Sequence, residues 1–249
     1  MCYSNSSTSS NETLGKIYQR SVQLLPPETP AFYVSGFSFP RWRIITKSPT
    51  IHLMKWGLIP HWYRGNSPHD FASKTLNARV ETLHEKASFK RLIATHRCVV
   101  PSSGFFEFKH VNAVKIPYFI YPKNPSIFSM AGLYDEWFNP ETKEYQQCFT
   151  IITAAANPLM EEIHNSKKRM PLMLPNHQVE QYLNGSDEIQ HFSSIPPEEM
   201  CAHPVDNGII FSEHANVPAV QHPIVNNIEG QTQLFWDMVL ILWLTNHEN

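Results

Sequence analysis

The chain has 249 residues, 42% of them hydrophobic and 17% charged, and a formal net charge of −2. That length supports one large domain or two small ones with a sizeable core, and the apolar fraction excludes a wholly disordered chain. No apolar run approaches the roughly 18–20 residues of a membrane-spanning helix. Cys2–Glu12, rich in Ser, Asn and Thr, has no apolar stretch of the kind that marks a secretory signal.

In chain order, Ser4–Asn11 is a low-complexity Ser/Asn stretch, and strands are expected at Thr50–Leu58, Arg97–Val100, Phe105–Lys109, Pro117–Tyr121, Ile127–Leu133 and Cys148–Thr153. Each is short, rich in aromatic or β-branched residues, and bounded by Pro, Gly or Asn. Pro101-Ser102-Ser103-Gly104 reads as a hairpin turn. Asn157-Pro158 reads as a helix start, with Asn as the N-cap and Pro at the first helical position, and that helix should end near His164. Gln178–Leu183 and Leu234–Leu244 are further helix candidates, the latter a core helix or a docking surface. Strands without βαβ alternation imply an α+β fold: a single domain over 1–249, with a core that is a mainly antiparallel β-sheet or barrel-like, and flanking helices.

The net charge conceals an asymmetry. Residues 41–115 carry 13 of the 20 Lys and Arg against four acids, whereas residues from Met170 onward carry ten acids and no Lys or Arg. A basic stretch of that strength suggests an anionic partner such as nucleic acid. Alternatively, the two segments are neighbours that neutralise one another. Cys2, Cys98, Cys148 and Cys201 lie far apart and form no CxxC pair, which argues against a structural zinc site or a disulfide framework and for a reducing, cytoplasmic setting. No metal or cofactor is expected.

Cys2 has chemical interest because of its position. A residue as small as Cys after the initiator permits removal of Met1, leaving an amine and a thiol on adjacent carbons. The α-amine has a pKa near 7.7–8.0, against about 10.4 for Lys, so far more of it is nucleophilic at neutral pH. The thiol is a second nucleophile within reach of any carbon the amine attacks. Such a pair condenses with aldehydes to a thiazolidine ring.

Three later segments give this reading weight: Thr75-Leu76-Asn77-Ala78-Arg79-Val80-Glu81-Thr82, then Arg97 to Glu107, then Thr150 to Asn157 leading to Ile163-His164. With Trp56-Gly57-Leu58-Ile59-Pro60-His61-Trp62 and Ala131-Gly132-Leu133-Tyr134-Asp135, their order and spacing resemble the SOS response-associated peptidase (SRAP) family, over about residues 2–227. The resemblance implies a protein that crosslinks to abasic sites in single-stranded DNA and shields them from strand cleavage. It places the four reaction-site residues on Cys2, Asn77, Glu107 and His164. Cys2 is then the nucleophile, while the other three hold and activate the sugar. Residues 228–249 would form a C-terminal helix.

The residue types suit these roles. Glu107 lies in the aromatic run Phe105-Phe106-Glu107-Phe108, where desolvation raises a carboxyl pKa and fits it for acid and then base work. His164 closes a helix, where the dipole favours a cation, which suits proton donation to the ring oxygen of the sugar. Asn77 offers donors and an acceptor. Read alone, each has an ordinary alternative: an edge-strand glutamate, a helix-end histidine, a turn asparagine. Arg79, Lys168 and Arg169 are candidate phosphate contacts, and Trp62 and Tyr63 are candidates for stacking on bases or for ordinary core. The expected partner is single-stranded DNA containing abasic sites, bound by a monomer, with replication-fork proteins as candidate recruiters. In a bacterium the protein would be nucleoid-associated.

A second reading is an N-terminal-nucleophile hydrolase or peptidase that acts on amides, its own Met1 included, with the α-amine as base and Asn77 at the oxyanion. A third is a non-catalytic single-strand-binding module. The chain departs from the family pattern at Tyr3 and Ser4, where Gly and Arg are usual, and at Phe37, where Pro is usual. It also separates His164 from Arg169 by more residues than the family does.

Overall fold

A computed structural model describes residues 2–123, 127–185 and 188–224. In chain order these form β1 (Ser4–Ser7), α1 (Asn11–Tyr18), β2 (Ala31–Ser35), β3 (Arg41–Ile44), β4 (His52–Trp56), α2 (Pro68–Lys74), β5 (Asn77–Arg79), β6 (Arg97–Ser102) and β7 (Gly104–Val111). The chain continues through β8 (Val114–Pro122), β9 (Phe128–Asn139), β10 (Glu144–Ala155), α3 (Pro158–Ile163), β11 (Arg169–Pro171), β12 (Met173–Leu174), α4 (Val179–Asn184), β13 (Met200–Pro204) and α5 (Asn207–Ile210). The expected helix over Leu234–Leu244 lies outside the described residues. Among the described residues no helix is long and apolar enough to cross a membrane.

The strands form two sheets. One has the order β13-β8-β7-β1-β2. The other runs β12-β9-β10-β4-β3, with β5 and β11 also paired to β10 and β6 to β9. Pairing is antiparallel except where β10 meets β4 and β5. The fold is α+β and mainly antiparallel, as expected; among the described residues the two sheets do not close into one barrel but pack against each other through a shared core. Phe105 and Ile120 of the first sheet pack with Val100, Met130, Phe149 and Ile151 of the second.

The alternation along β10 explains why the second sheet is a middle layer. Phe149 and Ile151 point into the core between the sheets, whereas Cys148 and Ile152 point into another core on the opposite face. Val179, Tyr182 and Leu183 of α4 and Leu14 and Tyr18 of α1 join that second core. A strand covered on both faces reads as an unbroken apolar run, as Cys148–Ile152 nearly does.

The Ser/Asn stretch contains an element the sequence concealed. Ser4–Ser7 is a wholly buried strand lying between β7 and β2. Its small polar side chains are satisfied individually, as buried hydroxyls must be. Ser4 Oγ donates to Tyr33 Oη at 3.1 Å, Ser6 Oγ donates to the Ala31 carbonyl at 3.1 Å, and Arg43 donates to Ser7 Oγ at 2.6 Å.

Pro101–Gly104 is also not a hairpin turn. β6 pairs with β9 in one sheet and β7 with β1 and β8 in the other, so the break carries the chain between sheets. β1 pins the crossing: Ser103 N–H donates to the Ser6 carbonyl at 2.9 Å, and Ser102 Oγ donates to Asn5 Oδ1. Gly104 is required here, because a Cβ would lie 2.5 Å from the Phe119 ring and 2.7 Å from the Ile120 carbonyl.

Candidate active site at the first cysteine

The crossing after β6 matters because it sets β7 beside β1. Ser4 pairs with Phe106, so the chain immediately before β1 runs alongside Glu107. Cys2 sits there at 1% exposure, at the end of the core between the sheets. Asn77 opens β5, whose parallel pairing with β10 places Asn77 beside Ile151. From that position Asn77 Nδ2 donates to the Cys2 carbonyl at 3.0 Å, while its buried Oδ1 accepts no hydrogen bond among the described residues.

His164 arrives through the helix start that the sequence marks. Asn157 Oδ1 caps α3 by accepting from Met160 N–H at 3.0 Å, Pro158 opens the helix, and His164 is its C-cap. The segment after it turns back. Lys168 N–H donates to the His164 carbonyl at 2.8 Å with Lys168 in a left-handed conformation (φ 50°), and the Arg169 carbonyl accepts from His164 Nδ1–H at 2.8 Å. A carbonyl only accepts, so the proton on Nδ1 is fixed. Asn165 ties this loop to β7, accepting from His110 N–H at 3.0 Å and donating to its carbonyl at 2.7 Å. The result is His164 Nδ1 at 3.8 Å from Glu107 Oε1, both side chains buried.

Burial dominates the electrostatics. It raises the Glu107 carboxyl above its ordinary value, with the charge of His164 opposing. Burial and then the nearby Glu107 carboxyl push the Cys2 thiol well up, so in the resting chain the sulfur keeps its proton. The Tyr3 hydroxyl moves the same way, chiefly by burial and secondarily through Glu107. Cys2, Asn77, Glu107 and His164 are therefore brought together at one end of the core between the sheets.

The other sequence candidates are placed differently. Arg79 is exposed (side chain 60%), 3.8 Å from Glu81, and Lys168 is exposed beside Glu161. Trp62 is exposed and meets Phe71 edge-on at 6.3 Å. Tyr63 is packed between Phe71 and Trp137, with its carbonyl accepting from Trp137 Nε1, which is a core position. Arg169 is corrected as a phosphate contact. It is buried, and its guanidinium pairs with Glu81 and donates to the Thr153 carbonyl, so it serves to hold the loop that positions His164. Sequence reasoning missed Glu81 and Thr153 in this role, although both lie in the segments that carry the resemblance. Among the described residues no group of three or more His, Cys, Asp or Glu could hold a metal ion.

Known proteins resemble this chain over much of its length. The family model of SOS response associated peptidase (SRAP) matches residues 8–210, a span that includes Asn77, Glu107 and His164 and begins after Cys2. The abasic site processing protein YoqW of Bacillus subtilis (strain 168) is 40% identical over 132 residues, covering 53% of this chain and 56% of that protein. The abasic site processing protein HMCES of Xenopus tropicalis is 33% identical over 175 residues, 62% of this chain and 49% of that protein. The chain thus spans about half the length of the curated relatives it matches. A solved structure of a protein from Bacteroides thetaiotaomicron is 36% identical with a TM-score of 0.83, covering 89% of this chain and 99% of that one. With 8–210 matched out of 249 residues, this chain belongs to the SOS response associated peptidase (SRAP) family.

Proposed function

We propose that this chain processes abasic sites in single-stranded DNA, capturing the sugar aldehyde on Cys2 as a covalent thiazolidine once Met1 is removed. The names of its relatives support the substrate class. One observation carries the chemistry: the second residue is a buried cysteine whose carbonyl is held by Asn77, with the Glu107–His164 pair alongside.

The steps balance as a condensation. His164 gives a proton to the ring oxygen of the sugar and takes up the proton of the C1 hydroxyl, so the ring C–O bond breaks and the aldehyde forms. The free α-amine of Cys2 attacks the aldehyde carbon, and protonated Glu107 gives its proton to the resulting hydroxyl, which departs as water and leaves an iminium. The Glu107 carboxylate then takes the thiol proton as sulfur adds to the same carbon. One C–N and one C–S bond form, one water is lost, and Glu107 ends protonated as it began. Asn77 Nδ2 fixes the cysteine backbone, and its Oδ1 is the acceptor for the amine. An imine left open acidifies the neighbouring C–H and leads to β-elimination, and ring closure removes it first.

Intact-protein mass spectrometry before and after incubation with a single-stranded abasic oligonucleotide tests this. The expected result is loss of Met1 from the starting mass and an adduct one water lighter than the sum of protein and DNA. Retained Met1, or no adduct, would overturn the proposal. An amide-cleaving enzyme would leave no lasting adduct.

Exposed Arg79, at the end of the strand that bears Asn77, is the first candidate phosphate contact. Arg79→Ala should weaken single-strand binding and reduce the slope of log K against log salt by about 0.7, one phosphate contact. A fluorescence-anisotropy titration over several salt concentrations reads both quantities.

A further inference from the structure

Two departures from the family pattern, far apart in sequence, meet beside the reactive residue. Tyr3 follows Cys2 directly, and its ring contacts that of Phe37, with centroids 4.9 Å apart and planes tilted by 43°. Tyr3 is half-buried, whereas Phe37 is 54% exposed. Both are held firmly. Gly36 N–H donates to the Tyr3 carbonyl at 2.7 Å, and Phe37 lies in a single 3₁₀ turn whose start is capped by Ser35 Oγ and whose end is closed by Phe39 N–H on the Gly36 carbonyl at 2.9 Å. That turn rests on the core, because a Cβ on Gly36 would sit 3.2 Å from the Trp56 ring.

Resting on the abasic-site reading above, we infer that Tyr3 and Phe37 form a stacking platform for the nucleobase that adjoins the sugar held at Cys2. Tyr3 is bonded to Cys2, its Cα about 3.8 Å away, so this aromatic pair adjoins the point at which the sugar would be attached. An exposed phenylalanine on a fixed turn offers a face that any base can cover, and such stacking tolerates sequence because every base has a π-face. Phe39, which closes that turn, lies beneath a cation from β4, with Lys55 Nζ 5.7 Å from the centre of its ring.

The test compares two single-stranded oligonucleotides under subsaturating protein. In one the abasic site is flanked by natural bases, and in the other by baseless tetrahydrofuran spacers that keep the phosphates. For the wild type, adduct formation on denaturing gels should be about tenfold faster with flanking bases. In Phe37→Ala that ratio should fall towards one, and Phe37→Trp should restore it. An unchanged ratio in Phe37→Ala, with adduct still forming, would overturn the platform alone. Absence of adduct on both oligonucleotides with the wild type would overturn the underlying reading and the platform with it. Phe37 is exposed, and matching thermal melts establish that the variants are folded.

Discussion

Cys2→Ala is expected to abolish the lasting adduct, lowering its yield at least a hundredfold, and to convert the protein from a shield into a strand-breaking agent. The variant keeps an α-amine at the chain start after Met1 removal, so it still condenses with the aldehyde. Without sulfur, the imine persists, β-elimination follows, and the oligonucleotide is cut. Two readouts separate this from simple inactivity. Cleaved DNA should accumulate on a denaturing gel, and borohydride should trap a reduced imine that is absent without the reductant. Undiminished stable adduct from Cys2→Ala would show that the thiol takes no part. Neither adduct nor cleavage would point to loss of binding, which anisotropy with an intact oligonucleotide checks directly.

Glu107→Gln carries the second large effect, with opposite consequences for rate and stability. If Glu107 passes protons between the departing hydroxyl and the thiol as proposed, its loss should slow adduct formation about a hundredfold or more. Its folded-state pKa is raised by burial. Below the ordinary glutamate value, folded and unfolded chains are both protonated and the group costs nothing. As pH rises through the folded-state value, the native protein must hold a buried ionised carboxylate, and stability is lost. Glutamine removes that cost. The melting temperature of the variant relative to the wild type should therefore climb as pH rises above about 4. A variant slower at every pH but no more stable at high pH would contradict the burial assigned to this carboxyl.

What the sequence discloses and what it withholds divide along a physical line. Signals that act within a few residues were readable: Asn157-Pro158 caps α3 as expected, and the β-branched and aromatic runs from Arg97 to Thr153 became β6 to β10. Three of the four clustered residues sit in motifs legible as a set, and the structure adds the contacts between them. What failed needed a distant partner. Ser4–Ser7 has no apolar alternation, and its burial depends on Tyr33, Ala31 and Arg43, none of them local. The Pro101–Gly104 break has turn chemistry, but turn chemistry does not say which sheet the next strand joins. Arg169 looks like a surface cation until Glu81, 88 residues earlier, is found against it.

The buried serine strand has a mechanical consequence. Whatever is attached at Cys2 is tethered, two residues away, to a strand hydrogen-bonded on both sides. A tug on that attachment loads both ladders at once in shear, so the handle cannot peel off as a frayed tail would. Dislodging it means breaking the pairing of β1 with β2 and with β7 together.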